Sequence, residues 1–183
     1  VNAADIETIN FLTDDSATTA TGIQHTAALT AAAVKTITVA GDAGLALTNT
    51  ATTVTSFDAS GVTKGAVSWT AGILAAAATI TGSATQANTI VATDATKAVT
   101  YTGGTGVDNI TINNAQANVI NTGAGNDIIV VGNGANTISA GAGNDTITLG
   151  SGANSVNTGD GVNTVVFSAA MAGLNTITLG SGV

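Results

Sequence analysis

The sequence contains no cysteine and no proline, few aromatic residues and little charge. Without cysteine the chain cannot form disulfides, thiolate metal sites or a cysteine nucleophile. Only three of its 183 residues are basic, Lys35, Lys64 and Lys97, against eleven acidic ones, so the net charge at pH 7 is −8. Nucleic acids and anionic membrane surfaces bind clusters of positive side chains, which this chain lacks. We therefore expect neither as a partner.

Long apolar runs and catalytic motifs are missing as well. No run of about 18 apolar residues occurs, so no membrane span is predicted, and no basic segment typical of a signal peptide opens the sequence. His25 is the single histidine, so histidine zinc sites and Ser-His-Asp triads lack their parts. The chain is therefore predicted not to be an enzyme. Because it starts in a strand-like segment and stops inside a repeat, we expect it to be a piece of a longer polypeptide.

A nine-residue repeat starts at residue 103. Residues 103–111 match the pattern G-G-x-G-x-D-x-U-x, in which U is a large aliphatic residue, at every fixed position. Seven consecutive units keep this pattern with few departures, and one extra residue precedes Asn118. The sixth positions are Asp108, Asn118, Asp127, Asn136, Asp145, Asn154 and Asn163. The eighth positions are Ile110, Ile120, Ile129, Ile138, Ile147, Val156 and Val165.

These residue types indicate a β-roll. Glycine permits tight turns, and the x-U-x triplet is a short strand whose Ile or Val points inward. Stacked units form two thin parallel sheets around an aliphatic core. Successive units lie on opposite sides, so residues 18 apart in the sequence stack at the strand spacing of about 4.8 Å. The Asp residues and Asn163 therefore fall along one corner of the roll, and Asn118, Asn136 and Asn154 along the other.

Residues 1–102 share the composition of the roll but lack the nonapeptide. Short alternating runs between Gly, Asn, Asp and Ser turns indicate strands at 6–11, 34–39, 54–57, 66–69, 79–81, 88–91 and 98–101. Two Ala-rich stretches, 26–35 and 71–78, fit a short helix by propensity and a strand or loop by their flanks. We predict an all-β fold, a parallel β-solenoid with an irregular Thr/Ala-rich part (1–102) and a β-roll (103–183) that is truncated in its last repeat.

The acidic corner has the chemistry of a calcium site. Ca²⁺ takes six to eight oxygen ligands, mostly carboxylates and main-chain carbonyls. Asp108 with Asp127, and Asp127 with Asp145, each predict one site between stacked turns, and Asp145 with Asn163 a weaker third. The turn glycines would contribute carbonyl groups; they are Gly104, Gly106, Gly123, Gly125, Gly141 and Gly143. Asp also caps turns without a metal, but stacked carboxylates about 5 Å apart repel one another unless cations separate them.

The remaining polar groups leave alternatives open. Neutral amides are poor calcium ligands, so the Asn corner favours a hydrogen-bonded amide ladder, with partial calcium occupancy through carbonyls as the rival. The acidic residues Asp14, Asp15 and Asp42 fit isolated calcium ligands or solvated turn residues, and the second reading is the more common one for such side chains.

The chain resembles the RTX family, whose calcium-binding nonapeptide is matched by residues 103–111 and by the turns at 123–129 and 141–147. More specifically, it is similar to the RTX-type S-layer proteins of Gram-negative bacteria, in its Thr/Ala-rich composition and in the segments 6–10, 34–49 and 54–60. It departs from the family pattern in having Asn at four of the seven sixth positions, which lowers the expected number of calcium ions.

The resemblance implies a type I secreted protein that folds on calcium outside the cell. It would be a structural building block that self-associates into a lattice at the cell surface, with lipopolysaccharide bound through regions outside this chain. An extender module of an RTX adhesin, or an accessory calcium-binding domain of an RTX hydrolase, carries the same repeats and remains an alternative.

Overall fold

The computed structural model describes residues 6–15, 23–168 and 170–182, and these form seventeen strands. The first eight are β1 (Thr8–Thr13), β2 (Gln24–Leu29), β3 (Thr36–Gly41), β4 (Gly44–Asn49), β5 (Ser56–Val62), β6 (Val67–Thr70), β7 (Ala78–Thr81) and β8 (Asn88–Val91). The other nine are β9 (Val99–Gly104), β10 (Asp108–Ile112), β11 (Val119–Ala124), β12 (Ile128–Val131), β13 (Thr137–Ala142), β14 (Thr146–Leu149), β15 (Ser155–Asn157), β16 (Thr164–Phe167) and β17 (Thr176–Thr178).

Consecutive strands alternate between two parallel sheets. The odd-numbered strands form a nine-stranded sheet in the order of the chain, and the even-numbered strands form an eight-stranded sheet. Each coil therefore contributes one strand to each sheet, which is a parallel β-solenoid. The alternation of small polar and β-branched apolar residues produces this arrangement, because in a strand successive side chains point to opposite faces. The apolar set is buried between the sheets and the polar set faces outward.

The core changes in character along the axis. In the early coils it contains aromatic side chains: the rings of Phe57 and Trp69 stack with centroids 4.3 Å apart and planes 5° from parallel. Trp69 Nε1 donates a hydrogen bond of 2.8 Å to Asn49 Oδ1. In the nonapeptide region the same rows are filled by aliphatic residues such as Ile129 and Ile138, which are 0 % and 2 % exposed. The later coils are therefore thin, as the repeat pattern predicts.

The predicted fold class is confirmed: the described residues contain no helix and form one parallel β-solenoid. All seven strand-like runs of the first half overlap strands. β2 agrees with the strand alternative for the Ala-rich stretch 26–35, whereas β4 was not predicted. The Ala-rich stretch 26–35 begins in β2, and 71–78 is a connecting segment that reaches β7. Among the described residues no helix is long and apolar enough to cross a membrane.

Both sheets continue through the boundary predicted near residue 103. Strand β9 pairs with β7 on one side and with β11 on the other, and β10 pairs with β8 and β12. The division into parts 1–102 and 103–183 remains a prediction from the change of repeat period. Residues 1–5 and 16–22 of the first part, and 169 and 183 of the second, lie outside the described residues.

Candidate metal site at the acidic corner

The acidic corner consists of Asp108, Asp127, Asp145 and Asn163, at or just before the starts of β10, β12, β14 and β16. The three carboxylates are 0–1 % exposed, so they point into the solenoid. Each residue is joined to the next coil in the same way. The backbone N–H of Asp108 donates to Asp127 Oδ1 (2.8 Å), that of Asp127 to Asp145 Oδ1 (2.9 Å), and that of Asp145 to Asn163 Oδ1 (2.8 Å). The side chains thus form a continuous row along the axis.

Glycine is required where the turns before these residues stack. Gly123 and Gly141 have φ of 102° and 104°, and Gly125 and Gly143 have φ of 133° and 136°, a region that L-residues with side chains avoid. A Cβ on Gly141 would also lie 1.7 Å from the carbonyl oxygen of Gly123. Larger residues would therefore separate the coils, and close stacking of the turns depends on glycine.

The opposite corner is an amide ladder, consisting of Asn118, Asn136, Asn154 and Asn175. In each of the first three, Nδ2 donates 2.9 Å to Oδ1 of the Asn in the next coil. Asn136 Nδ2 also donates to the carbonyl oxygens of Gly132 (3.2 Å) and Gly134 (2.9 Å) in its own turn. The amide group therefore satisfies the inward-facing carbonyls of the turn. The ladder expected from sequence is present and extends to Asn175.

The acidic corner lacks this donor. Where an Asn has Nδ2, Asp127 and Asp145 have Oδ2, and both Oδ2 atoms are buried without a hydrogen-bond partner among the described residues. Burying an unpaired charged oxygen is unfavourable, since it loses its hydration without replacement. Asn163, at the end of the same row, again donates through Nδ2 to the carbonyl oxygens of Gly159 (3.2 Å) and Gly161 (3.4 Å). Two positions of the row thus need positive charge from elsewhere.

These residues fit Ca²⁺. The carbonyl groups that correspond to those of Gly159 and Gly161 belong to Gly123 and Gly125 before Asp127, and to Gly141 and Gly143 before Asp145. A hard cation prefers such a set of carboxylate and carbonyl oxygens. No group of three or more His, Asp and Glu side chains that could hold a metal occurs in the part of the chain that the structure describes. Main-chain oxygens would therefore supply most of the ligands.

Electrostatics at the corner agree with this interpretation. Burial raises the pKa of Asp108 to about 6, and the charge of Asp127 acts in the same direction, against hydrogen bonds from Asn88 and Tyr101. Burial also raises the pKa of Asp145. Without a cation the fold therefore favours the protonated forms of these two carboxyl groups. A bound dication would reverse that preference, because it stabilises the ionised form.

Asp108 differs from the other two carboxylates. Its Oδ1 accepts a hydrogen bond of 2.7 Å from Asn88 Nδ2, and its Oδ2 accepts one of 2.9 Å from the hydroxyl group of Tyr101. Neither donor was expected from sequence. The contact with Asn88 could have been predicted, because Asn88 precedes Asp108 by one coil in the same row. The sequence gives no indication of the contact with Tyr101, since this residue occupies an ordinary inward position of its strand. The predicted site between Asp108 and Asp127 stays a prediction.

The Asp42 carboxylate is held by contacts within the protein. Asp42 Oδ1 accepts a hydrogen bond of 2.8 Å from the backbone N–H of Asp15, and Oδ2 lies 3.7 Å from Lys64 Nζ. That backbone hydrogen bond lowers the pKa of Asp42. These contacts favour a turn-stabilising role for Asp42. Asp14 lies beside this turn. Its side chain makes no contact with the described residues that would indicate a metal-binding role.

The comparison with protein families agrees with the repeat analysis. The family model of the RTX calcium-binding nonapeptide repeat (4 copies) matches residues 114–138 and 130–165. No curated protein and no solved structure matches the chain. The matched residues include Asp127, Asp145 and Asn163, and also the Asn residues of the opposite corner up to Asn154. The nonapeptide repeats of this family bind calcium, and proteins that carry them are typically secreted. The part of the chain that contains Asp127 and Asp145, whose Oδ2 atoms have no partner among the described residues, is therefore similar to a calcium-binding repeat.

Proposed function

We propose that the chain is a calcium-dependent structural building block of a bacterial surface layer, which folds and assembles when it meets Ca²⁺ outside the cell. The observation that carries the calcium dependence is the pair of buried Oδ2 atoms of Asp127 and Asp145, which have no partner among the described residues. Asp127, Asp145 and Asn163 would hold the ions together with the carbonyl groups of Gly123, Gly125, Gly141 and Gly143. The bound ion supplies positive charge that the turn itself lacks.

Linkage makes calcium a folding switch. Where calcium is scarce, the unpaired carboxylates and a net charge of −8 oppose compaction. At millimolar calcium, an extracellular-type site with a dissociation constant of about 10⁻⁴–10⁻³ M adds roughly 0.5–1.5 kcal/mol through RT ln(1 + [Ca²⁺]/Kd). Relief of the buried charges is already contained in this dissociation constant, so two ions together contribute about 1–3 kcal/mol of a total stability of about 5–15 kcal/mol.

The broad faces of the solenoid support self-association. Among the seventeen strands only Asp58 and the buried Asp108 are charged. The outward positions of the odd-numbered sheet form two rows in register, and most of them are Thr, Ser or Asn; the first row runs Thr8, Thr36, Ser56, Thr79, Thr100, Val119, Thr137, Ser155 and Thr176. Sheet faces with so little charge let copies approach although the whole chain is acidic.

The repeats themselves are shared by surface-layer proteins, adhesins and hydrolases. We assign this chain no catalytic activity, because the RTX-repeat solenoid is a structural calcium-binding fold. The resemblance of the first hundred residues to S-layer proteins favours a surface layer over an adhesin stalk or a hydrolase accessory domain. Binding to lipopolysaccharide would be through regions outside this chain.

Two measurements test the proposal. Far-UV circular dichroism, starting in chelator and titrating Ca²⁺, is expected to show a transition to β-structure near millimolar calcium, with a smaller calcium-induced change in Asp127→Asn. Electron microscopy of the full-length protein in calcium is expected to show sheets. A chain that is fully folded in chelator and does not respond to calcium would refute the calcium switch. Isolated rods in calcium would refute the lattice and favour the adhesin stalk.

A further inference from the structure

We propose that the calcium row starts at Asp127 and that Asp108, although it lies in the one unit that matches the nonapeptide pattern completely, is a structural carboxylate and not a calcium ligand. The row would then hold two ions, one between the coils of Asp127 and Asp145 and one between those of Asp145 and Asn163. This inference rests on the proposed function, because it assigns the ligands of the same acidic corner.

Asp108 already has a donor for each carboxylate oxygen. Asn88 Nδ2 lies 2.7 Å from Oδ1 and the Tyr101 hydroxyl group 2.9 Å from Oδ2. Asn88 is itself fixed, since its Nδ2 also donates to the carbonyl oxygens of Ser83 (3.2 Å) and Gln86 (3.1 Å). Hydrogen bonds from neutral groups to a buried carboxylate disperse its charge. An ion at this position would have to displace the Tyr101 donor from Oδ2, whereas the Oδ2 atoms of Asp127 and Asp145 have no donor among the described residues.

Tyr101 is built into this position. It is fully buried and lies between Ile80 and Ile120 in the inward row of the odd-numbered sheet. Its hydroxyl group therefore reaches the acidic corner from the core side. Gly103 leaves the necessary space, because a Cβ there would lie 1.9 Å from Asp108 Oδ2. The contact is thus enforced by packing on both sides of the carboxylate.

The turn before Asp108 also differs in its backbone. Gly123 and Gly125 before Asp127 have positive φ, as do their counterparts before Asp145, but Gly104 and Gly106 are not among the positive-φ glycines of the described chain. The carbonyl groups of the first turn are therefore oriented differently from those of the next two turns. Two observations, the pair of side-chain donors and the different turn, assign Asp108 to a metal-free junction between the early coils and the calcium-binding coils.

Calcium stoichiometry measured by isothermal titration calorimetry on the full chain tests this assignment. We expect two ions in the wild type, two in Asp108→Asn with dissociation constants within about twofold, and one in Asp127→Asn. Asn is a matched replacement, because it occupies the equivalent corner position in other coils. Loss of an ion or a tenfold weaker affinity in Asp108→Asn, or three ions in the wild type, would overturn the inference while leaving the proposed function intact.

A second variant tests the contact itself without relying on Asp108→Asn. Tyr101→Phe removes only the hydroxyl donor, so it should keep two ions and lower the urea midpoint measured in chelator with enough trimethylamine N-oxide to fold the calcium-free chain. An unchanged midpoint, or a third ion with wild-type stability, would overturn the structural role of this bond. A wild type that binds no calcium at all would refute the proposed function together with the two sites, an outcome separate from those above.

Discussion

Asp127→Asn should make the protein more stable without calcium and less responsive to it. In chelator, the substitution replaces a buried oxygen that has no partner among the described residues with an amide nitrogen. That nitrogen would meet the turn carbonyls and Asp145 Oδ1, as Asn136 Nδ2 meets the carbonyl oxygens of Gly132 and Gly134 and Oδ1 of Asn154. Removing an unsatisfied buried group is worth about 1–3 kcal/mol and each new hydrogen bond about 0.5–1.5 kcal/mol. The expected gain is therefore about 2–4 kcal/mol.

Urea unfolding followed by far-UV circular dichroism measures both effects, in millimolar calcium and in chelator with enough trimethylamine N-oxide to fold the calcium-free chain. With a slope of about 2 kcal/mol/M, the calcium-free midpoint of Asp127→Asn should rise by about 1–2 M. The calcium-induced shift should shrink, because one site is lost. A variant less stable than the wild type in chelator would refute the reasoning, as would a calcium-induced shift equal to that of the wild type.

The reverse substitution on the other corner is the matched control. Asn136→Asp puts an oxygen where the two hydrogens of Nδ2 now serve three acceptors. Calcium-free stability should fall by a similar amount, about 2–4 kcal/mol, and the variant should respond to calcium more strongly than the wild type. If both substitutions lowered calcium-free stability, local packing rather than charge would explain the difference between the corners.

Three further predictions concern pH, turn stacking and the core. The pKa of Asp108 is raised to about 6 from 3.8, so folding favours its protonated form. In calcium-free buffer with trimethylamine N-oxide, the urea midpoint should therefore fall as pH rises from about 4 to 6, and it should fall less in Asp108→Asn. Gly141→Ala should cost more than about 2 kcal/mol in thermal or urea unfolding, by backbone strain and by contact with the stacked turn, whereas Gly182→Ala, whose Cβ would have 3.8 Å to its nearest neighbour, should be near neutral. Trp69→Phe should cost about 2–4 kcal/mol, because it leaves the buried Asn49 Oδ1 without its donor and removes part of a fully buried ring; an unchanged urea midpoint would contradict this expectation.

The nonapeptide pattern predicted the second half of the fold well because it encodes both periods of a solenoid. Nine residues bring the chain to the opposite sheet, and 18 return it to the same corner, so residue numbers alone separate Asp127 and Asp145 from Asn118 and Asn136. The observed spacing of 18 residues in the ladder from Asn118 to Asn136 confirms that arithmetic. Local residue type and register were sufficient there.

The first half was less predictable because its coils vary in length. Thr36 pairs with Ser56, but Ser56 pairs with Thr79 and Thr79 with Thr100, so no fixed period exists in the sequence. The partners of Asp108 were missed for a related reason. Tyr101 reaches it across the corner from the other sheet, and such a contact depends on side-chain length and on the space left by Gly103, which no repeat pattern records.

The two corners give the solenoid mechanically unequal edges. Neutral amides join the coils along one long edge at a spacing that does not change with ion concentration, while the other edge keeps its spacing only if its buried carboxylates are neutralised. Loss of ions should therefore lengthen one edge against the other, so that the rod curves with its carboxylates on the convex side. If the chain forms the surface layer proposed above, local ion depletion would act first as a bending moment on each subunit, before any subunit unfolds or leaves.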